Sequence, residues 1–275
     1  MSMTAASPQD SKTVHHPAFG PALPADGWVP APRYLLRRAR ILRMLEDVPP
    51  GQLLDVGCGP GTLLAELAQR GFDCTGLETS PAALAMAAKL HGTDGAVTMT
   101  HAPGPDWAGR FDTLCAFEVL EHIEDDRAAL SEWLDWLAPG GMVLLSMPAH
   151  PESWNSYDAY VGHYRRYTRP DMVALAEACG LEVVALECYG YPLANIMEKV
   201  RVRVYARKAR ESANASMDAA TGQSGTNRAI ESKAWPFLAH GPGRWAMSAA
   251  IAAQRPFVGR DLGNGYLMKA RRPCA

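Results

Sequence analysis

No two of the six cysteines (Cys58, Cys74, Cys115, Cys179, Cys188 and Cys274) stand at metal-ligand spacing. Most fall in apolar runs and read as buried free thiols in a reducing compartment, which argues against a disulfide framework or a zinc module of clustered cysteines. No run is long and charge-free enough to span a bilayer, and the N-terminal stretch lacks the apolar core of a signal peptide. A cytoplasmic protein is the expectation. Neither sign of charge is in excess: the formal net charge of −2 gives no global pull towards nucleic acid or an anionic membrane. No basic stripe carries interleaved aromatics either, so no nucleic-acid partner is expected. Hydrophobic residues are plentiful, at 48% of 275 residues. That is enough for one large domain with appendages.

The chain is organised around Gln52–Leu67, QLLDVGCGPGTLLAEL. Leu53, Leu54 and Val56 form a short buried strand, Gly57, Gly59 and Gly61 a turn, and the following residues a helix. Glycine lets the chain reverse sharply and lets a ligand approach bare backbone, where the N–H groups at the helix start face something electron-rich. The spacing is G-x-G-x-G; Thr62 occupies the place of the third glycine of a dinucleotide fingerprint. Asp55 would repel a pyrophosphate but suits a ligand carrying an ammonium group.

This combination resembles the first motif, D-x-G-x-G-x-G, of the class I S-adenosylmethionine-dependent methyltransferases, matched by Asp55, Gly57, Gly59 and Gly61. The resemblance implies that S-adenosyl-L-methionine is the cofactor and that Asp55, Gly57, Cys58, Gly59 and Gly61 hold its methionine end. It also implies a doubly wound α/β fold with a mostly parallel, seven-stranded, Rossmann-like sheet. Strands are expected at Phe72–Leu77, Ala96–Thr100, Phe111–Phe117, Gly141–Met147 and Leu181–Leu186, with a final antiparallel strand at Gly265–Ala270. Apolar runs alternating with helical segments support the same architecture. Glu78 ends the second strand about twenty residues past the glycines, where an acid accepts hydrogen bonds from ribose hydroxyls; Thr79 follows it into the cofactor site. Ser80 and Pro81 open the next helix. In the resembling family an acid often contacts adenine after the third strand; here no acid stands at the expected place, and Asp106 or backbone groups would take that task.

Four segments follow from these boundaries. Residues 1–32 form a mobile leader, in which Phe19 and Trp28 could lie over a ligand; residues 33–190 form the cofactor-binding core and begin with a helix over Arg33–Asp47. Residues 191–264 are a helical insertion, and 265–275 the last strand and C-terminus. The insertion opens with a basic amphipathic helix, Pro192–Arg210, continues through a disordered stretch at 211–226, and resumes as a helix over Trp235–Gln254. A substrate cap is favoured for it over a lipid or membrane-surface contact through the 192–210 helix.

A second constellation, AFEVLEHIEDD, leaves the fourth strand at the ligand edge. Phe117 and Glu118 would border the reacting centre, Phe117 on the cofactor and Glu118 as a candidate catalytic group. No metal is expected; the alternative is a divalent ion held by Glu118, Glu121 and His122, since similar E-x-x-E-H runs bind metal in some of the resembling enzymes. Further on, Gly162-His163-Tyr164-Arg165-Arg166-Tyr167-Thr168 resembles the G-H-x-R-R-Y-T segment of a bacterial subgroup of small-molecule methyltransferases. His163 is a candidate base for a hydroxyl or amine nucleophile, and Tyr164, Arg165 and Arg166 are candidate substrate contacts for a carboxylate or phosphate. The competing reading bonds His163 and the arginines to Asp158 and loop carbonyls to hold a lid closed. The expected function is methyl transfer to an oxygen or nitrogen of a small-molecule acceptor. The alternatives are a methyltransferase-like binding module that catalyses nothing and a nicotinamide-dependent oxidoreductase.

Overall fold

A computed structural model of the chain describes residues 13–92, 96–211 and 228–274. Residues 1–12 of the expected leader and 212–226 of the expected disordered stretch lie outside the described residues. The leader expectation fails for the part that is described. Val14–His16 (β1) and Gly20–Ala22 (β2) form an antiparallel hairpin, and Phe19 and Trp28 are each 1% exposed.

Seven strands make the main sheet: β3 (Gln52–Val56), β4 (Asp73–Leu77), β5 (Val97–Thr100), β6 (Phe111–Phe117), β7 (Leu137–Pro148), β8 (Glu182–Tyr189) and β9 (Gly265–Arg271). Their order is β5-β4-β3-β6-β7-β9-β8; β3 to β7 pair in parallel, and β9 runs antiparallel between β7 and β8. The expected doubly wound sheet is therefore present. Strand β7 begins earlier than expected because Leu137 pairs with Phe111 before a register shift.

Because side chains alternate across a strand, each buried strand feeds two cores. Leu54, Val56, Leu114, Ala116, Val143 and Leu145 face one side, packing with Leu130 and Trp133 of α4 (Asp126–Asp135) and Met172 of α6 (Arg169–Ala178). Leu53, Cys115, Met142 and Leu144 face the other, packing with Ile41 and Leu42 of α1 (Pro32–Met44) and with Leu63, Leu64 and Leu67 of α2 (Thr62–Ala68). The sheet is completed by α3 (Pro81–His91), which starts at the Ser80 cap, and by the short α5 (Ser156–Val161).

The insertion supplies α7 (Leu193–Glu211), α8 (Ala229–Ala239) and α9 (Gly241–Ala253). The single helix expected over Trp235–Gln254 is two. His240 is extended, Gly241 takes a left-handed φ of +51°, and the bend brings Gly243 so close to the Phe237 carbonyl that a Cβ there would stand 2.0 Å from it. These helices and the N-terminal hairpin share a third core of Phe19, Val29, Leu35, Leu36, Ala194, Trp235 and Met247. Among the described residues no helix is long and apolar enough to cross a membrane.

Candidate active site

Strand order reverses beside β3, and at the carboxyl ends of β3, β4 and β6 lies a cavity of about 1160 Å³. The glycine turn forms its floor. Gly57, Gly59 and Gly61 all take left-handed φ values, +65°, +58° and +69°. At Gly57 a Cβ would come within 2.6 Å of Val119, so glycine is required there by contact as well as by φ. At Gly59 the same direction is open, with no atom within 4 Å. Glu78 at the end of β4 ties the turn down, accepting from the backbone N–H of Gly59 (2.8 Å) and of Ser80 (2.7 Å). Cys58 and Thr79 also line the cavity, and burial pushes the Cys58 thiol up so that it stays protonated.

Asp55 is 4% exposed, and its Oδ1 has no hydrogen-bond partner. Burial pushes its carboxyl up to about 8; the Arg37 charge opposes that shift and the Glu78 charge adds to it. Glu118, at the end of β6, shows the opposite response. Its φ of +62° is unusual for a residue with a side chain. Its carboxylate pairs with Arg33 (2.7 Å) and Arg37 (3.3 Å) of α1 and accepts from Tyr189 (3.0 Å) and Ser146 (3.3 Å). Burial alone would raise Glu118, but the two guanidinium groups and the tyrosine outweigh it and hold the carboxyl down at about 2. The Nε atoms of Arg33 and Arg37 are buried without partners.

The opposite wall is a polar network. Asp158 accepts from His163 Nδ1 (2.8 Å) and from Arg166 Nε and Nη2 (2.9 and 2.8 Å), and these bonds hold it well below the usual carboxylate range despite its burial. Arg166 also bonds Glu198 of α7 (2.5 Å). His163 Nε2 points towards Glu121, 4.0 Å away. Glu121 is fully buried with neither oxygen partnered, and burial together with the Glu118 charge raises it well above the carboxylate range. Burial and the neighbouring His163 lower His122 to about 4.

The sequence from residue 31 to 186, more than half of the chain, matches the family of methyltransferase domains. The chain belongs to this family. One curated relative, the ubiquinone biosynthesis O-methyltransferase of Marinobacter nauticus, is 36% identical over 101 residues, or 34% of this chain and 42% of that protein. Across the curated relatives it matches, the chain spans between 42% and 65% of their length. Phosphoethanolamine N-methyltransferase 2 of Haemonchus contortus, solved with S-adenosyl-L-methionine, shares the fold at TM-score 0.51 and 20% identity, over 86% of this chain and 52% of that one. The [4+2]-cyclase SpnF shares it at TM-score 0.53 and 18% identity, over 88% and 82% of the two chains.

Against this methyltransferase domain, the cofactor residues read from the sequence converge: Asp55, Gly57, Cys58, Gly59, Glu78, Thr79 and Phe117 all line the cavity. Gly61 sits one step below as the N-cap of α2, packed against His91. Glu118 and His163 line the cavity as well, and Glu118 is tied to two arginines. Tyr164, Arg165 and Arg166 do not line it. Tyr164 is 42% exposed, Arg165 pairs with Asp126 (2.7 Å) and bonds the Glu124 carbonyl, and Arg166 is consumed by Asp158 and Glu198. Asp106 pairs with Arg110 and does not line the cavity. Trp28 lines the cavity, whereas Phe19 packs into the third core. The alternative metal set changes membership: donor atoms of Glu121, His122 and His163 lie within 4.8 Å of one another, and His163 takes the place of Glu118. Sequence reasoning missed Arg33, Arg37 and Arg201. Arg33 and Arg37 are four residues apart in an arginine-rich helix that also carries Arg38, Arg40 and Arg43, and that spacing puts the two on one face.

Proposed function

We propose that the chain transfers a methyl group from S-adenosyl-L-methionine to an oxygen or nitrogen of a small-molecule acceptor. The observation that carries this is Asp55: a buried carboxyl with an unpartnered oxygen, beside a glycine turn whose Gly59 leaves open space, in a cavity large enough for cofactor and acceptor together. These residues fit the group. Asp55 would take the ammonium of the methionine end, the unpartnered Nε of Arg37 its carboxylate, and the remaining lone pairs of Glu78 the ribose hydroxyls. When bound, the cofactor supplies a methyl already activated by its sulfonium.

The chain's own residues then have three tasks: to align the nucleophile, to exclude water and, where the nucleophile keeps its proton, to accept it. His163 is placed for the last. Its Nδ1–H donates to Asp158, which leaves Nε2 as the acceptor facing the cavity. The α7 helix contributes Ala194, Met197, Glu198 and Arg201 to the cavity, which favours a substrate cap over a membrane contact for this part of the insertion. Arg201 lies over the Tyr157 ring at 3.8 Å and its Nε has no partner, so an acceptor bearing a carboxylate or phosphate would be drawn to it. The free thiols suit the cytoplasm.

A second reading assigns a divalent ion to Glu121, His122 and His163, favoured by the two unpartnered Glu121 oxygens. Two measurements test both readings. Titration calorimetry with S-adenosylhomocysteine should show one site per chain, lost in Asp55→Ala; no uptake by folded wild-type protein would overturn the proposal. Incubation with labelled cofactor and a cell extract should yield a labelled small molecule, and turnover untouched by a chelator would dismiss the ion.

A further inference from the structure

Behind the acceptor side of the cavity, three donor side chains from separate elements converge at a place that the methyl-transfer reading does not use. His150 directly follows β7 and Ala149, Cys188 is the penultimate residue of β8, and Asp261 lies in the turn before β9. One donor atom from each lies within 4.8 Å of the others, and His150 Nε2 is 4.0 Å from Cys188 Sγ. None of the three lines the large cavity. In a tetrahedral zinc complex the nitrogen and sulfur ligands stand about 3.5 Å apart, so a contraction of about half an ångström brings His150 Nε2 and Cys188 Sγ to ligand spacing.

The surroundings are those of ligating groups rather than of a chance contact. A metal-bound imidazole gives its other nitrogen to a carboxylate, and a metal-bound carboxylate is itself hydrogen-bonded. Here His150 Nδ1 is 3.4 Å from Glu152 Oε1, so Nε2 is the nitrogen left for an ion. Asp261 Oδ1 accepts from the Tyr266 hydroxyl (2.6 Å) and lies 3.8 Å from Arg169 Nε, and the Asp261 side chain also bonds the Cys188 thiol, a contact that metal binding would replace. Arg169 is anchored elsewhere, donating through Nη1 to the Leu186 carbonyl (2.8 Å), and flanks the centre rather than filling it. His150 itself is held at a φ of +66°, a conformation that costs a non-glycine residue energy and is fixed by the bond from its N–H to the Tyr167 carbonyl (2.9 Å). The Asp261 side chain is 51% exposed and gives an ion a way in.

We propose that His150, Cys188 and Asp261 bind a zinc ion, with water in the fourth position, that pins the turn before β9 to the ends of β7 and β8. Thiolate, imidazole and carboxylate together select zinc over magnesium or calcium, which prefer oxygen alone. On binding, the Cys188 thiol gives its proton to solvent, and the two anionic ligands neutralise the ion. The centre braces the cavity from behind. Tyr189, next to Cys188, bonds Glu118, and Asn264, three residues after Asp261, bonds Glu198 (3.1 Å) and lines the cavity.

The test is a Co²⁺ titration of the full chain after chelation and dialysis, under a non-thiol reductant. Wild-type protein should take up one ion with a thiolate-to-cobalt band in the near ultraviolet, displaced by Zn²⁺. An ion at Glu121, His122 and His163 gives no such band, having no sulfur ligand. Cys188→Ala should lose the band, and Asp261→Asn should bind Co²⁺ at least tenfold more weakly, while both keep their S-adenosylhomocysteine affinity within twofold. A folded wild type without the band, or a band that survives in Cys188→Ala, overturns the proposal. If Cys188→Ala does not fold, undiminished Co²⁺ affinity in Asp261→Asn overturns it alone.

Discussion

Asp55 and Glu118 end neighbouring parallel strands, yet burial governs one carboxyl and ion pairing the other. For Asp55 the folded chain keeps its proton up to about pH 8, whereas an unfolded aspartate releases it near pH 3.9. Between those values the folded state binds more protons than the unfolded one, so the Asp55 contribution to stability falls as pH rises, at up to about 1.4 kcal/mol per unit. Asp55→Asn should therefore match wild type near pH 4 and exceed it by a few kcal/mol at pH 8–9 without ligand. Urea unfolding across pH would show this, and parallel curves would contradict it. Glu118 has the opposite sign. Held at about 2, it stabilises the folded state fully above its unfolded value near 4.3, and that contribution disappears as pH falls through 2. Glu118→Gln leaves two guanidinium groups without their anion and should cost roughly 2–3 kcal/mol at pH 7, less than a fully buried pair because 14% of the Glu118 side chain and up to 23% of the Arg33 side chain is exposed. At this scale Asp55 and Glu78 were legible because spacing from a glycine turn fixes them. Arg33, Arg37 and Arg201 were not, because what makes them part of the site is a partner or cavity brought close only by tertiary packing.

At the scale of elements, each strand of the sheet was legible to within a few residues; for the central strands β3, β6 and β7 the reason is that both faces are covered and the sequence is an apolar run. Hairpin β1–β2 was not: three-residue strands reading VHH and GPA carry no alternation, and their order comes from Phe19 packing against Trp235 more than two hundred residues away. The break between α8 and α9 was written in the sequence, where Gly241-Pro242-Gly243 follows His240, but the apolar residues on either side led to one helix being read across it. Helix α6 shows what local sequence can specify. Thr168 accepts from the Asp171 N–H while the Asp171 side chain accepts from the Thr168 N–H, the reciprocal capping box that a T-x-x-D spacing encodes. Thr168→Ala should lower stability by about 1 kcal/mol and leave S-adenosylhomocysteine affinity unchanged, because the capping box lies outside the cavity. A loss of affinity beyond threefold in calorimetry would show that the G-H-x-R-R-Y-T segment reaches the cofactor through this helix.

At the scale of the whole molecule, the layer proposed above as a substrate cap is assembled from distant parts of the chain. His16 bonds the Ala239 carbonyl (2.8 Å), Arg228 bonds that of Val29 (2.9 Å), and Gln254 Nε2 bonds that of Leu36 (3.0 Å). These contacts and the third core join residues 16–36 to 228–254, which both reach the cavity lining through Trp28 and Leu238, while the two other cores flank the sheet. Trp235 is 5% exposed and central to the cap core, so Trp235→Ala should remove about 3–5 kcal/mol from whatever unit contains it. If the cap opens as a unit of its own, hydrogen exchange in Trp235→Ala should accelerate together in residues 14–36 and 235–253 while β3, β6 and β7 stay protected. A ligand that bridges sheet and cap should slow both groups again, and S-adenosylhomocysteine is the first to try, since Trp28, Arg33 and Arg37 border its proposed site. Equal acceleration in the central strands would mean one cooperative unit, and the acceptor could then enter only through fluctuations that also loosen the glycine turn.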